Sequence, residues 1–248
     1  MKIVIINASQ RGKNGNTQIL IERLCVGIKR AKAEYEYVNL NEENIEFCKA
    51  CDKCHEVGHC IINDDMEKIF GMISAADLII YAFPIYSFHF PAKLKAIFER
   101  MYSLGDNQEL TVSEHGLVFH QINRKICGKP YAVLAHYGNI EYSAVKSSIE
   151  YFGSFSRFTD SENIGVLQRN TMRLLSKSID SGKKSARTET ILSAYEQAGY
   201  EIGTSGKITG KTQKAANREL IPIPFIGLLK HSKNKWFKSM LVKVAKKK

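Results

Sequence analysis

Lys2-Ile3-Val4-Ile5-Ile6-Asn7-Ala8-Ser9-Gln10-Arg11-Gly12-Lys13-Asn14-Gly15-Asn16-Thr17 lies near the start of a 248-residue chain and decides its fold. The first seven of these residues form a short apolar run rich in Ile and Val, which reads as a strand buried on both faces. A polar loop with two glycines follows, and Ile19, Leu20, Leu24 and Ile28 then recur at helical spacing. A strand, a polar loop and a helix in this order gather exposed backbone N–H groups at the positive end of a helix dipole, where an anion binds. Ser9, Asn16 and Thr17 add hydrogen-bonding side chains and Arg11 adds charge. The plainer alternative is a polar turn in which Asn16 or Thr17 caps the helix. Neither GxxxxGK[ST] nor GxGxxG occurs, so the usual triphosphate and dinucleotide fingerprints are missing.

Outward from this stretch, strand and helix patterns alternate. Residues 35–40 read as a second strand and residues 77–83 as a buried third, ended by Pro84. Between them, Asp64 and Asp65 are placed to cap a helix through Met66, Ile69, Phe70 and Ile73. Pro91 sits at the first turn of a helix through Leu94, Ile97 and Met101. Residues 130–136 read as a fourth strand, 142–152 as helix, 158–167 as the place of a fifth strand, and 185–198 as a helix stopped by Gly199. Such alternation predicts an α/β fold: a doubly wound, five-stranded parallel sheet of order 2-1-3-4-5, with a ligand at the carboxyl ends of strands 1 and 3.

Composition narrows the class. Hydrophobic residues make up 44% and charged residues 25%, as in ordinary globular proteins, so collagen-like, disordered and porin-like readings fall away. The net charge of +11 is confined to one place: residues 203–248 carry 12 Lys/Arg against the single acid Glu219, and residues 1–202 are balanced. The expected organisation is therefore a domain over 1–202 and a basic extension over 203–248. The leading apolar run is too short for a signal peptide, and no run approaches a membrane span. With its clustered cysteines, the chain reads as a reduced, cytoplasmic protein.

Ser9-Gln10-Arg11 with Gly15-Asn16-Thr17, Pro84-Ile85-Tyr86, and Pro91-Ala92-Lys93-Leu94-Lys95 resemble the NAD(P)H-dependent FMN reductase family. The resemblance covers residues 1–202 and implies a flavodoxin-like fold. It implies that the loop of Ser9, Arg11, Gly15, Asn16 and Thr17 holds the FMN phosphate. It implies that Pro84, Ile85, Tyr86, Ser87 and Phe88 lie along the isoalloxazine ring, and that Tyr137, Gly138 and Asn139 close the site. A flat tricyclic ring wants an apolar or aromatic wall and N–H donors at its polar edge, which is the physical content of that assignment. Packing at a strand end is the alternative for Tyr86 and Phe88.

Cys48-x2-Cys51-x2-Cys54-x5-Cys60 is the sharpest local pattern. Thiolates so spaced converge from one compact loop, as a [4Fe-4S] cluster requires. Zinc is the competing metal, with His55 or His59 able to replace a thiolate, although zinc knuckles usually come as two pairs separated by a longer linker. Free thiols are the third reading. The spacing and its position after the second strand resemble the iron–sulfur flavoproteins, a branch of the same family. Cys25 and Cys127 read as small buried hydrophobes.

Two stretches stand outside a minimal fold. Residues 103–128, with His115 and His120, suit a cover over a site or a subunit contact. In the tail, residues 235–248 read as a basic amphipathic helix that either packs on a protein surface or lies on an anionic membrane. No nucleic-acid motif is present. The expected function is an FMN-dependent redox protein passing electrons between a [4Fe-4S] cluster, FMN and an external donor or acceptor, with no obligatory protein acid or base. The rivals are a cluster-free NAD(P)H-dependent FMN or quinone reductase and a zinc-stapled binding module tethered by its tail. The resemblance further implies NAD(P)H as a donor, a homodimer or homotetramer, and a redox partner protein or small-molecule acceptor.

Overall fold

In the computed structural model, residues 1–182, 184–220, 234–237 and 239–240 are described. Two compact units divide the chain, Met1–Arg218 and Glu219–Lys248. The sequence readings of 221–233 and of most of 235–248 fall outside the described residues.

The first unit is built on a five-stranded parallel sheet. Its strands are β1 (Lys2–Asn7), β2 (Glu34–Asn39), β3 (Leu78–Pro84), β6 (Tyr131–His136) and β7 (Asn163–Arg169). Their order is β2-β1-β3-β6-β7, the doubly wound order expected from sequence with the strands renumbered. β3 and β6 are buried at every position, as strands covered on both faces must be. On one face, Val4, Ile6, Ile79, Tyr81, Phe83 and Val133 form a cluster with residues of α3 (Met66–Ala75), α4 (Ala92–Arg100) and α6 (Lys146–Thr159). Phe83 stacks on Phe152 at 5.8 Å between ring centroids. Burying each such side chain contributes about 1.5–3 kcal/mol.

The other face is served by α1 (Asn16–Arg30) and the long α8 (Ala186–Ser205), which pack against each other. Gly199 does not stop α8, which continues to Ser205 and is closed by Gly206 in the left-handed region at φ 69°. Its work is a close approach: a Cβ at Gly199 would collide with the carbonyl of Leu24, and one at Gly27 with the carbonyl of Glu196. A second correction concerns the fifth strand. α6 runs on to Thr159, and β7 occupies 163–169 rather than 158–167.

The stretch 103–128 is not a plain loop. It holds an antiparallel hairpin, β4 (Gly105–Val112) and β5 (Val118–Ile122), and the short α5 (Arg124–Cys127). Part of the presumed extension also belongs to the first unit. α9 (Gly210–Ala216) lies beside β7, where Gln213 Oε1 accepts the Val166 N–H at 2.7 Å and Asn217 bonds Val166 O and Gln168 N. These side-chain amides satisfy backbone groups that an edge strand would otherwise expose. α2 (Lys53–Val57) follows β2, and α7 (Met172–Asp180) follows β7. Among the described residues, no helix is long and apolar enough to cross a membrane.

Candidate functional site

A cavity of about 540 Å³ opens at the carboxyl ends of β1, β3 and β6. Three predicted loops meet there: Ser9, Arg11 and Asn16 from the first, Pro84, Ile85 and Tyr86 from the second, and Tyr137 and Gly138 from the third. Convergence follows from topology, because all strands of a parallel sheet end on the same side.

The first loop is held in shape from within. The Ser9 N–H donates to Asn7 Oδ1 at 3.0 Å, and the Arg11 N–H donates to Ser9 Oγ at 3.3 Å. Gly12 takes a left-handed φ of 50°. A Cβ at Gly15 would run into Ser9 Oγ, so a larger residue there would force the Ser9 hydroxyl to turn away. Thr17, fully buried, lies behind the cavity wall with its hydroxyl 2.8 Å from His136 Nε2. The second loop is a tight hairpin in which Tyr86 and His89 exchange N–H···O bonds of 2.9 and 3.0 Å. Its two central residues, Ser87 and Phe88, both hold positive φ, at 47° and 68°. This is the type I′ geometry that favours Gly and Asn, so two ordinary side chains there carry backbone strain. Tyr86 faces the cavity; Phe88 is 68% exposed and, with Ser87, does not line it. Asn139 is absent from the lining as well, and its Oδ1 accepts the N–H groups of Ile140 and Glu141.

Five lining residues were not anticipated: His136, Met172, Arg173, Ser176 and Lys177. His136 is the last residue of β6, so the switch-point rule was enough to place it at the site. Burial pushes its imidazole down to about 4, which keeps the ring neutral near pH 7. The other four lie on α7, at spacing that sets them on one face, and no motif announced them. With Arg11, they give the cavity three cationic side chains and no carboxylate, a field suited to an anionic ligand.

The four clustered cysteines occupy a different part of the unit. Cys48, Cys51, Cys54 and Cys60 all line one small hollow of about 20 Å³, together with Arg100 and Tyr102. None forms a disulfide. Burial, and then the nearby Cys60 and Cys51, push the Cys54 thiol up. The Ala50 N–H donates to Cys48 Sγ at 3.4 Å. Among the described residues, no three Cys, His, Asp or Glu side chains lie close enough to hold a metal ion. The four donors fit a thiolate-ligated group in kind and share one hollow, and one further observation agrees. Arg100 Nε is buried without a hydrogen-bond partner, and the Cys60 thiol lies beside that guanidinium. A room of one water's size means that the loop must part to admit a cluster. Left-handed φ values at Ala50, Asp52 and Gly58 mark where the backbone bends.

α4 runs between the two sites. It begins directly after the Tyr86 hairpin, with Pro91 as its N-cap. Lys93 Nζ donates to the carbonyls of Leu40 and Glu43, both at 2.8 Å, just before the cysteine segment. Arg100, at its other end, is 2% exposed in its side chain and grips the fully buried Asp64 at 2.7 and 3.1 Å. Burial works to raise the Asp64 carboxyl, but hydrogen bonds from Arg100 and the N–H groups of Glu46 and Met66 prevail and hold it below its ordinary value.

Comparison with known proteins bears on the family and the fold. The model of one protein family, NADPH-dependent FMN reductase, matches residues 1–137. An iron–sulfur flavoprotein of Methanosarcina thermophila is 39% identical over 100 residues, which is 40% of this chain and 52% of that protein. An iron–sulfur flavoprotein of Methanocaldococcus jannaschii is 33% identical over 100 residues, 40% of this chain and 51% of that one. The matched stretch thus spans about half the length of these curated relatives. Among solved structures, an FMN-dependent NADH-azoreductase of Bacillus anthracis in complex with FMN superposes with a TM-score of 0.59 at 14% identity, covering 82% of this chain and 100% of that one. An NAD(P)H:quinone oxidoreductase of Methanothermobacter marburgensis gives a TM-score of 0.58 at 16% identity, covering 82% and 96%. At these identities the likeness is one of fold.

Proposed function

Because the chain belongs to the NADPH-dependent FMN reductase family, we propose that it is a flavin-dependent oxidoreductase. In this reading FMN lies in the cavity at the carboxyl ends of β1, β3 and β6, and a [4Fe-4S] cluster is held by Cys48, Cys51, Cys54 and Cys60. The observation that carries the proposal is the convergence of three separate loops on one acid-free cavity of about 540 Å³. When bound, FMN supplies hydride and single-electron chemistry, and a [4Fe-4S] cluster supplies single-electron chemistry alone.

The protein's own part is binding and orientation. Ser9, Arg11, Gly15 and Asn16, with the N-terminus of α1, hold the phosphate. Thr17 supports that loop from behind through its contact with the neutral His136. Pro84, Ile85 and Tyr86 wall the ring, the strained Ser87 and Phe88 fix the hairpin that carries Tyr86, and Tyr137 and Gly138 close the far side, with Asn139 shaping their loop through the N–H groups of Ile140 and Glu141. The nine residues of α4 span about 14 Å and tie the ring-facing hairpin to the cysteine segment. The donor class is NAD(P)H, the acceptor a redox partner or a small molecule, and the assembly a cytoplasmic homodimer or homotetramer. The basic tail serves contact with a partner or an anionic membrane surface.

A cluster-free FMN or quinone reductase is the second reading, favoured by the small size of the cysteine hollow. One measurement separates the two: the absorption spectrum of anaerobically purified protein, with iron, sulfide and zinc analysis. The expected result is a flavin spectrum lying on broader iron–sulfur absorption, with sulfide present and about four irons per chain. Flavin without iron leaves the cluster-free reductase. Zinc without flavin overturns the redox reading in favour of a zinc-stapled module.

A further inference from the structure

The cysteine segment is an exposed irregular stretch, yet its two ends are fastened by one network. The Glu46 N–H donates to Asp64 Oδ2 at 2.8 Å, and the Asn44 N–H donates to Asp65 Oδ2 at 2.6 Å. The Asp65 N–H returns to Asn44 O at 3.0 Å. Arg100 completes the closure from α4. Its Nη1 donates to both Asp64 Oδ2 and the carbonyl of Glu46, and its Nη2 donates to Asp64 Oδ1. One guanidinium therefore holds the chain entering the segment and the chain leaving it. A fork of this rigidity is peculiar to arginine; lysine offers the charge without the geometry.

Two features go beyond closure. Arg100 lines the cysteine hollow itself as well as the larger cavity behind residues 58–64. Its Nε–H is buried with no acceptor, while Cys60 stands beside the same guanidinium. An unmade hydrogen bond on a buried charged group costs stability, and an anionic sulfur is the acceptor that geometry offers.

We propose that Arg100 is a positioning residue of the cysteine site: it closes the segment by gripping Asp64 and Glu46, and its Nε–H donates to the Cys60 sulfur when that sulfur ligates a bound group. This rests on the cluster reading given above. A hydrogen bond to a ligand sulfur stabilises the more negative, reduced state and so raises the reduction potential. Closure and charge thus come from one side chain, and they are separable by experiment.

The test compares the full-length wild type with Arg100→Lys, both purified anaerobically, by two readouts. The first is iron and sulfide content with the reduction potential from an EPR-monitored titration. The second is the rate of trypsin cleavage after Lys49 and Lys53, mapped by mass spectrometry, at a temperature where circular dichroism shows the fold intact. The expected result is a lower potential or reduced iron loading in the variant, with cleavage in the segment at least tenfold faster and flavin content unchanged. Iron loading, potential and cleavage rate all equal to wild type overturn the proposal. A wild type that binds flavin but neither iron nor sulfide overturns the cluster reading and the sulfur contact together, leaving the cleavage rate to decide closure. Should Arg100→Lys fail to fold, Asp64→Asn loosens the same closure while keeping the guanidinium, and is held to the same cleavage rate.

Discussion

The cavity at the strand ends, proposed for the flavin, and the cysteine hollow sit in one unit but are built in opposite ways. The cavity has about 540 Å³, and its edges are the ends of fully buried strands. The hollow has about 20 Å³, and its walls are a partly exposed chain with one short helix, whose His55 ring meets Tyr102 edge-on and whose ends are fastened by hydrogen bonds. Sheet topology preforms the first site. The second has its donors gathered but not spaced, and a site of that kind takes its final shape from what it binds. Flavin affinity should therefore depend on side chains, whereas metal affinity should depend on how the loop ends are held.

The most severe way to break this contrast is at the loop's fastening. Asp64→Ala leaves a buried guanidinium without its counter-ion and should cost about 3–5 kcal/mol, measured by urea unfolding. A cost below about 1 kcal/mol would mean that the segment is not fastened there. The second test is pH. His136 is held near 4 by burial, whereas in the unfolded chain it titrates at about 6.5. Its contribution is thus complete above pH 6.5 and declines as the pH falls toward 4, by up to about 3 kcal/mol. Unfolding free energies between pH 7 and 4 should show this slope, and His136→Gln should flatten it. Third, Arg173→Met with Lys177→Met should weaken FMN binding about tenfold, near 1.4 kcal/mol, and leave riboflavin, which lacks the phosphate, unchanged. Equal loss for both ligands would move those cations away from the phosphate. Smallest of all, Cys51→Ser should shift FMN affinity less than twofold while iron content collapses. A larger flavin effect would show that the two sites are not built separately.

How much of this was legible beforehand follows the same division. β1, β3 and β6 are apolar runs that only a doubly covered sheet accommodates, so strand order and switch point could be read directly. The hairpin β4–β5 could not, because β4 is exposed along nearly its whole length and carries no alternation of apolar and polar residues. Gly199 was misread because a glycine that ends a helix and one that lets two helices touch look alike in a single sequence. At the site, Ser9, Arg11 and Tyr86 came from recognisable stretches. Arg173 and Lys177 came from none, since their placement depends on where α7 lands after β7. Arg100 was invisible for a related reason: its partners, Glu46 and Asp64, are distant in sequence and meet it only through the fold.

The close approach of α1 and α8, made at Gly27 against Glu196 and at Gly199 against Leu24, has a consequence for anyone who would recombine this protein. The family match ends at residue 137, so it contains one glycine of the pair and not the other. A chimera that grafts a foreign C-terminal half onto residues 1–137 would bring α1 with its notch already cut. The donor would have to supply a final long helix with a glycine, or nothing larger, opposite Leu24. Without it, α1 would be pushed off its seat, and the loop that leads into its N-terminus would move with it. The portable unit for engineering is therefore not the matched segment alone but that segment together with α8.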